Sequence, residues 1–308
     1  MTNQTLMIQS PIKHYTTLSV DDLMQQVNRI MLNYFSCEDD ISSKDNLCIE
    51  ALKYHFKSTG SQYRAKSCLY ACMKLSVNYD DMLILSAVCE LLHNASLIHD
   101  DIQDKDENRR GQQSVWKKFG ENIAICAGDL LISTAYGVLS RYSKPSHLPK
   151  LISTINHQIQ LAIKGQSLDL CFKQNEKISI DSYLNICKQK SGALLCLPFE
   201  LALISAERFE SIALAKEACD AFSISYQILD DLEDVVRDGE NKYNNHSLNI
   251  AFILNNVRFE DTNKNAFLLC EHYLDIAIDY GSQLPNQSGD YLVDLASKLR
   301  KKVSYQSL

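Results

Sequence analysis

The sequence predicts an all-α protein that forms a single domain. Only 10 glycines and 5 prolines occur among 308 residues, so the chain lacks the turn residues that hairpins and tight strand connections need. Apolar residues recur at helical spacing over residues 83–99 and 218–236, whereas no stretch alternates apolar and polar residues for long enough to form a strand. Hydrophobic residues make up 45% of the chain and charged residues 22%, which is typical of a globular domain.

The helical pattern divides the chain into a tail and one domain. Residues 1–16 predict a loose N-terminal tail, and residues 17–308 predict the domain. Residues 183–203 are apolar nearly all round in their second half, which predicts a central buried helix. Polar stretches with prolines at residues 141–150 and 283–290 predict connections between helices. A last amphipathic helix follows, with apolar residues at Leu292, Leu295, Leu299 and Val303.

Charge and cysteine content exclude several classes of function. A formal net charge of −7 argues against a nucleic-acid binder. The 11 cysteines include no Cys-x-x-Cys motif, which predicts buried reduced thiols rather than a zinc site or a disulfide framework. The N-terminus lacks a basic region followed by an apolar run, and no stretch reaches the ~18 apolar residues of a membrane span. We therefore expect a cytoplasmic protein with no membrane span and no nucleic-acid partner.

Two aspartate clusters of identical spacing are the most informative feature. Each has aspartates at positions i, i+1 and i+4, which places the outer two one above the other on a helix. Carboxylates on one face repel each other unless a cation lies there, and oxygen ligands at this spacing suit Mg²⁺ bound to substrate phosphates. A solvated acidic face is the alternative for either cluster alone. The clusters are Asp100, Asp101 and Asp104, and Asp230, Asp231 and Asp234.

The surroundings of the clusters indicate the kind of substrate. An apolar helical run adjoins each cluster, and an apolar run beside a metal site predicts a pocket for a hydrocarbon tail. Arg109 and Arg110 follow the first cluster and offer two guanidinium groups for phosphate oxygens. These features together predict a substrate with a diphosphate head and a hydrocarbon tail.

Five motifs in order give the chain a resemblance to a known family. Residues 97–111 (LIHDDIQDKDENRRG) and 226–234 (YQILDDLED) closely resemble the two aspartate-rich motifs of the trans-type isoprenyl diphosphate synthases, the farnesyl/geranylgeranyl diphosphate synthase family. Lesser motifs of the family occur in its order at residues 127–129 (AGD), 165–170 (GQSLDL) and 190–194 (KSGAL). The resemblance implies an isoprenoid-synthase helical bundle around a deep central cavity, and a homodimer.

The resemblance also implies a magnesium-dependent prenyltransferase with about three Mg²⁺ ions. The ions would hold an allylic prenyl diphosphate, which ionises and condenses head-to-tail with isopentenyl diphosphate. Asp100, Asp104 and Asp230 would be the principal ligands, and the other three aspartates of the clusters would ligate or orient. Residues implied for binding the allylic diphosphate or facing its carbocation are Arg109, Gln166, Lys190, Ser191, Gln227 and, in a loop that aligns poorly, Lys242.

The acceptor side departs from the family pattern. The family carries Gly-Gly-Lys-Arg-x-Arg-Pro and then a histidine, which hold isopentenyl diphosphate, whereas residues 59–65 here read TGSQYRA. Aligning Arg64 with the last arginine puts Ser61 and Gln62 at the lysine and arginine, and Met73 at the histidine. Each lost charge-assisted contact would cost about 1.5–3 kcal/mol. The predicted acceptor residues are therefore Ser61, Gln62, Arg64, Met73 and Arg110.

Three functions stay open at this point. The first is a head-to-tail prenyl diphosphate synthase with an unusual acceptor site. The second is a class I terpene synthase on the same scaffold, which ionises a prenyl diphosphate without using isopentenyl diphosphate. The third is a non-catalytic partner subunit, although a chain without catalysis has no need to keep two repelling aspartate clusters.

Small residues before the first cluster predict the length of the product. Ser96 lies one turn, ~5.4 Å, before Asp100 on the same face, and Ala95 precedes it. Both small side chains leave room for a hydrocarbon tail, which an aromatic side chain at this position would limit to C15. Leu91 and Leu92 lie one turn deeper and would form the floor of the pocket. We expect a product near C20, similar to geranylgeranyl diphosphate. Close helix packing is the alternative explanation of the small residues.

Overall fold

A computed structural model describes residues 19–35, 46–171, 178–238, 249–254 and 259–306. Within these ranges the chain is almost entirely α-helical, which confirms the all-α prediction. The predicted tail at residues 1–16 lies outside the described residues, as does Lys242. The helices are α1 (Val20–Phe35), α2 (Leu47–His55), α3 (Tyr63–Lys74), α4 (Tyr79–Gln103), α5 (Val115–Phe119), α6 (Glu121–Leu139), α7 (Leu148–Cys171), α8 (Ile180–Cys187), α9 (Ala193–Ser205), α10 (Ile212–Asp238), α11 (Ile250–Ile253), α12 (Phe259–Ser282) and α13 (Asp290–Gln306).

Helix α4 contains the predicted apolar run at residues 83–99 and carries the first aspartate cluster at its end. The side chain of Asn78 caps the helix by accepting a hydrogen bond from the Asp80 amide at 3.0 Å. From this cap α4 continues for 25 residues, roughly 37 Å at 1.5 Å per residue. Helices α1, α3, α5, α6 and α9 pack around it. The helix is therefore held on several sides, and its last turn has a defined place in the bundle.

Helix α9 is the predicted central helix. All 13 of its residues are buried, and it packs against α3, α4, α7 and α10. The predicted helical stretch at residues 183–203 is divided into α8, a π-helical turn at Lys188–Gly192, and α9. A π-turn widens the helix locally and is common at functional sites. Because α9 contacts both α4 and α10, it fixes the positions of the two helices that carry the clusters.

The remaining helices follow the predicted connections. A 3₁₀ turn at Pro145–His147 joins α6 to α7, and another at Pro285–Gln287 joins α12 to α13. Helix α12 packs along α10, and α13 packs on α12 and α3. The ring of Tyr291 on α13 stacks on that of Tyr70 on α3 with centroids 4.7 Å apart. The C-terminal helices are thus part of the same bundle.

One short hairpin differs from the expectation that no strand forms. Strands β1 (Asn108–Arg109) and β2 (Gln112–Gln113) pair antiparallel directly after α4. Their connecting residues, Arg110 and Gly111, have φ values of 54° and 78°, as the mirror-image turns of two-residue hairpins require. Strands of two residues are too short to produce an alternating pattern. The hairpin reverses the chain so that β1 lies beside the end of α4.

Two helices differ from the expectation that no stretch is apolar enough for a membrane span. Among the described residues, α4 and α6 meet that criterion by length and composition. Most of the apolar part of α4 is buried in the bundle, and a helix surrounded by others is apolar all round for that reason.

The predicted buried thiols include Cys68, Cys72, Cys89, Cys187, Cys196, Cys219 and Cys270, whereas Cys126 and Cys171 are exposed.

Candidate active site

The first aspartate cluster occupies the last turn of α4. Asp100 is half-buried, Asp101 is fully buried, and Asp104 is the exposed C-cap residue. Burial raises the pKa of Asp100 to about 6 and also raises that of Asp104, while the nearby Lys190 lowers both. Two carboxyl groups of the cluster therefore lie in the field of a cation from another part of the chain.

Arg109 of the hairpin binds back to this cluster. Its Nε donates a hydrogen bond to Oδ1 of Asp101 at 2.7 Å, and its Nη2 donates to Asp106 at 3.4 Å. Burial raises the pKa of Asp101, and the guanidinium opposes that shift. The second oxygen of Asp101 has no hydrogen-bond partner in the described part of the chain. Arg109 thus lies at the predicted site, held by the middle aspartate of the cluster.

In the second cluster, on α10, Asp230 is exposed and Asp231 is buried. Asp231 accepts hydrogen bonds from the Tyr183 hydroxyl at 2.7 Å, the Gln227 amide at 2.9 Å and the Ile250 backbone amide at 2.9 Å. Burial raises the pKa of Asp231 to about 7, although these hydrogen bonds lower it. The predicted residue Gln227 is therefore next to the cluster, with its amide nitrogen bound to Asp231.

The π-turn at Lys188–Gly192 packs against α7 and α10 and carries Lys190. Lys190 of the π-turn donates a hydrogen bond to Asp169 of α7. The charge of Lys190 acts on Asp100 and Asp104 of the first cluster. Burial raises the pKa of the Cys187 thiol, the charge of Asp231 raises it further, and Lys190 lowers it. Lys190 thus lies near the first cluster on a turn that packs against α10, and the sequence motif 165–170 contributes Asp169, a residue that was not predicted individually.

The π-turn approaches α7 closely because residue 165 is glycine. A Cβ built at Gly165 would lie 2.3 Å from the backbone nitrogen of Lys190, much closer than real Cβ atoms approach other atoms. The neighbouring Gln166 is buried, and neither polar atom of its amide has a hydrogen-bond partner in the described residues. Ser191 is half-buried in the same turn. The structure therefore brings together the predicted residues Gln166, Lys190 and Ser191.

Arg64, predicted for the acceptor site, pairs with a histidine that was not predicted. Its Nη1 lies 3.0 Å from Nε2 of His93 on α4. Burial lowers the pKa of His93 well below its usual value, and Arg64 lowers it further, so the imidazole is neutral and accepts the hydrogen bond. The charges of Glu90 and Asp100 in turn act on Arg64. This group lies on the inner side of α3, against α4.

His93 occupies the place at Arg64 that the sequence alignment gave to Met73. Met73 is nine residues beyond Arg64, or about two and a half helical turns, and therefore lies on the opposite side of α3, 36% exposed. His93 precedes Asp100 by seven residues, which is about two turns along the same face of α4. That spacing is the sequence signal that indicates His93.

The other predicted acceptor residues divide into two groups. The side chain of Gln62 points away from Arg64 and His93, since its amide donates a hydrogen bond to Asn28 of α1 at 2.8 Å. Ser61 is exposed. Arg110 lies close enough to His93 for its charge to lower the pKa of that imidazole. Its Nη1 donates to the Ser58 carbonyl at 2.9 Å. The structure thus brings Arg110 to Arg64 and His93, but not Gln62.

The residues predicted to set product length lie on α4, and their role stays a prediction. Leu91, Leu92 and Ala95 are buried. Ser96 is half-buried on the face of Asp100, and its hydroxyl donates to the His93 carbonyl at 2.8 Å. The half-buried side chains in this half of α4 therefore form one stripe that leads from Arg64 toward the first cluster.

The carboxylates of the two clusters are oxygen ligands that a metal ion could bind. Among the described side chains, no group of three or more His, Cys, Asp or Glu residues is placed to hold a metal ion. The backbone of Asp234 is in α10, but its side chain is outside the described part. Carboxylates alone suit Mg²⁺, which takes further ligands from water and phosphate, better than they suit zinc. The carboxylates of the two clusters therefore have the ligand chemistry of magnesium rather than of zinc.

A cavity at the opposite end of α4 is separate from this site. It has a volume of about 230 Å³ and is lined by residues that include Asn78, Asp81 and Tyr142. Asp81 and Asp100 are 19 residues apart on α4, roughly 28 Å along the helix. This cavity is therefore not the predicted central pocket, which stays a prediction.

Comparison with known proteins assigns the family. Residues 45–247 match the family model of the polyprenyl synthetases. This chain belongs to the polyprenyl synthetase family. It is 32% identical over 263 residues to the farnesyl diphosphate synthase of Buchnera aphidicola subsp. Schizaphis graminum, covering 79% of this chain and 88% of that protein. It is 31% identical over 196 residues to the short chain isoprenyl diphosphate synthase of Methanocaldococcus jannaschii, covering 63% of this chain and about 60% of that relative's length.

Solved structures confirm the fold of this polyprenyl synthetase family member. A decaprenyl diphosphate synthase from Rhodobacter capsulatus superposes with a TM-score of 0.80 at 19% identity, covering 92% of this chain and 97% of the other. The geranylgeranyl pyrophosphate synthetase of Geoglobus acetivorans superposes with a TM-score of 0.75 at 22% identity. The superposition covers 91% of this chain and 98% of the other. The predicted isoprenoid-synthase helical bundle is thereby confirmed.

Replacing Gly165 with alanine tests the close approach of the π-turn. The new Cβ would overlap the Lys190 backbone, so we expect Gly165→Ala to lower the free energy of unfolding by about 1–3 kcal/mol. Chemical denaturation measures this change. Gly137→Ala on α6 is the matched control, because the new Cβ would only touch the Tyr34 ring at 3.5 Å. The higher helix propensity of alanine should stabilise this variant by up to about 1 kcal/mol. Equal stability of both variants would contradict the packing described.

Proposed function

We propose that this chain is a magnesium-dependent prenyltransferase that condenses an allylic prenyl diphosphate head-to-tail with isopentenyl diphosphate. The observation that carries the proposal is Lys190, which pairs with Asp169, acts by its charge on Asp100 and Asp104 of α4, and lies in a π-turn that packs against α10. A diphosphate carries several negative charges, so it requires cations where these carboxylates meet. The names of the relatives, which include farnesyl and geranylgeranyl diphosphate synthases, support the same reaction class.

The residues of the ionising half of the site have distinct roles. Asp100, Asp104 and Asp230 would hold magnesium, about three ions by likeness to the family, and Asp234, four residues after Asp230 on α10, would contribute. When bound, magnesium would supply positive charge that stabilises the leaving diphosphate and favours cleavage of the allylic C–O bond. Lys190 binds the diphosphate with a full positive charge in a partly buried setting.

Polar groups around Lys190 complete this half of the site. Gln166 has an unpaired buried amide that is available to hydrogen-bond the substrate. Ser191 in the π-turn and Gln227 beside Asp231 present further dipoles to the diphosphate or to the carbocation. Arg109, already at the first cluster, binds the same diphosphate. Lys242, which lies outside the described residues, stays a prediction of the family likeness for the same diphosphate.

The acceptor half uses a smaller set of cations than the family pattern. Arg64 and Arg110 hold isopentenyl diphosphate, and the neutral His93 orients Arg64. The isopentenyl double bond attacks the allylic cation, and the departing diphosphate accepts the proton lost from the adduct. Because Ser61 replaces a lysine, we expect weak binding of isopentenyl diphosphate.

The class I terpene synthase is the second candidate. It is favoured by the positions of Ser61, which is exposed, and Gln62, which is bound to Asn28. These side chains leave the acceptor half short of charge, while the aspartates of the ionising half are intact. A partner subunit without catalysis stays the third possibility.

We also propose that the chain forms a homodimer and acts in the cytoplasm. Helices α6 and α7 expose large apolar side chains to solvent, and burial of such side chains in a subunit interface is favourable. The exposed apolar residues on these helices are Ile125, Ile152, Ile163, Leu168 and Leu170.

Product analysis separates the three candidate functions. The purified chain is incubated with Mg²⁺ and dimethylallyl, geranyl, farnesyl or geranylgeranyl diphosphate, with and without isopentenyl diphosphate, and the products are identified by mass spectrometry. We expect elongated diphosphates that require both isopentenyl diphosphate and Mg²⁺, and Asp100→Asn should reduce turnover by at least about 100-fold. Hydrocarbons or alcohols formed without isopentenyl diphosphate would identify a terpene synthase, and no turnover would favour the partner subunit.

The product length is tested by enlarging the residues before the first cluster. We expect a wild-type product near C20 and a shorter one, near C15, from Ala95→Phe. Since Ala95 is buried, Ser96→Phe is the milder second variant, because Ser96 is only half-buried. Circular dichroism melting shows whether each variant is folded. If folded variants give the wild-type product distribution, this part of α4 does not set chain length.

A further inference from the structure

Two cysteines near the surface lie on helices that pack against each other. Cys48 is half-buried in the first turn of α2, and Cys126 is exposed on α6. Helix α2 packs against both α5 and α6. Most other cysteines in the described part of the chain are buried in the core. An oxidant in solution therefore reaches Cys126 directly, on a helix that contacts the helix of Cys48.

The contacts at the end of α2 fix its direction relative to α6. The ring centroid of Tyr54, in the last turn of α2, lies 5.5 Å from that of Phe119, and the Lys118 ammonium lies 3.7 Å from the Tyr54 centroid. Phe119 ends α5, directly before the start of α6. Since α2 also packs against α6, it runs back from this point in the direction opposite to α6.

This antiparallel arrangement places Cys48 and Cys126 at the same level. Cys48 is six residues before Tyr54, or roughly 9 Å along α2, and Cys126 is seven residues after Phe119, or roughly 10 Å along α6. Burial raises the pKa of the Cys48 thiol, and the charge of Cys126 raises it further. The register of the helices and the mutual effect of the two thiols thus agree that they are neighbours.

Small residues let the two helices approach closely at this level. Ala51 is one turn after Cys48 on the same face of α2, and Ala127 follows Cys126 on α6, and both alanines are fully buried. A disulfide needs Cα atoms about 4.4–6.8 Å apart, a condition that closely packed helices meet. Cys48 packs against the hydrophobic core, whereas Cys126 is open to solvent. The pair therefore has one accessible thiol and one sheltered thiol.

We propose that Cys48 and Cys126 are a redox-sensitive pair, which hydrogen peroxide converts to a disulfide between α2 and α6. The proposal is independent of the proposed function. Peroxide takes two electrons from the exposed Cys126 thiolate, which becomes a sulfenic acid as one water leaves. The Cys48 thiolate then attacks the sulfenic sulfur, the S–S bond forms, and the sulfenic oxygen leaves as a second water. The two thiols lose two electrons and two protons, which the peroxide takes up, and a thiol reductant reverses the oxidation.

The disulfide would act on the helix that anchors the hairpin. The Tyr54 hydroxyl donates to the Gln113 carbonyl at 2.9 Å, and Nε2 of His55 lies 2.9 Å from Oδ1 of Asn94 on α4. Helix α2 therefore joins the hairpin, which carries Arg109, to the bundle. A bond from the first turn of α2 to α6 would fix the other end of this connecting helix.

The experiment treats the reduced full chain with hydrogen peroxide, blocks the remaining thiols with N-ethylmaleimide, and identifies linked peptides by mass spectrometry without reduction. We expect a link between Cys48 and Cys126 within one chain, a loss of two free thiols, and reversal by dithiothreitol. Since the two cysteines are 78 residues apart, the link should raise the melting temperature by at least ~3 °C.

Cys126→Ser and Cys171→Ser are matched variants, because both cysteines are exposed and neither fills the core. Cys126→Ser should abolish the link and the rise in melting temperature, while the reduced variant melts as the reduced wild type does. Cys48→Ser should also abolish the link. Cys171→Ser should form the link as the wild type does.

Three results would overturn the proposal. If peroxide takes Cys126 to a sulfinic acid while Cys48 stays a free thiol, the two thiols are not paired. If Cys126 instead links to Cys126 of a second chain, this cysteine belongs to a contact between copies. If the link between Cys48 and Cys126 forms but lowers the melting temperature, the folded chain does not hold the two thiols together.

Discussion

The ion pair between Lys190 and Asp169 is the interaction on which the arrangement of the site depends. Lys190 brings a positive charge to the end of α4, where burial and mutual repulsion disfavour the ionised carboxylates. Asp169 fixes the lysine from α7, and Gly165 lets the π-turn come close enough for this contact. The buried helix α9, which starts where the π-turn ends, contacts both α4 and α10 and so holds the turn between the helices that carry the clusters.

The aspartates of the two clusters differ in burial. Asp100, Asp104 and Asp230 lie at the surface of the site, whereas Asp101 and Asp231 are buried and hydrogen-bonded. Spacing alone does not distinguish these groups, because all of them belong to the same two motifs. Their environments differ, since both oxygens of Asp231 accept hydrogen bonds from protein groups, whereas one oxygen of Asp101 has no hydrogen-bond partner in the described residues.

Local patterns in the sequence predicted most of the fold. Helical periodicity located α4, α10 and the central α9, and the proline-containing stretches located the connections at Pro145–His147 and Pro285–Gln287. The two clusters were recognisable because a motif within one helical turn is a local property. The proximity of Arg109 to its cluster was predictable for the same reason, since only a short hairpin separates them.

Contacts between distant segments were not predictable in the same way. Arg64 and His93 come from different helices, and the linear alignment gave Met73 the histidine's place. The turn of Gln62 toward Asn28 and the pairing of Asp169 with Lys190 depend on how helices pack, which periodicity does not encode. The hairpin and the π-turn are too short to leave a pattern, and the inward direction of Asp231 depends on donors from α8 and α11.

The central claim is that the two acidic helices hold one diphosphate together. A crystal structure of the full chain grown with Mg²⁺ and inorganic pyrophosphate tests it most directly. The expected result is one pyrophosphate between α4 and α10, in contact with Lys190 and bridged by magnesium to Asp100, Asp104 and Asp230. Magnesium bound at only one of the two clusters, or pyrophosphate bound away from Lys190, would contradict this account.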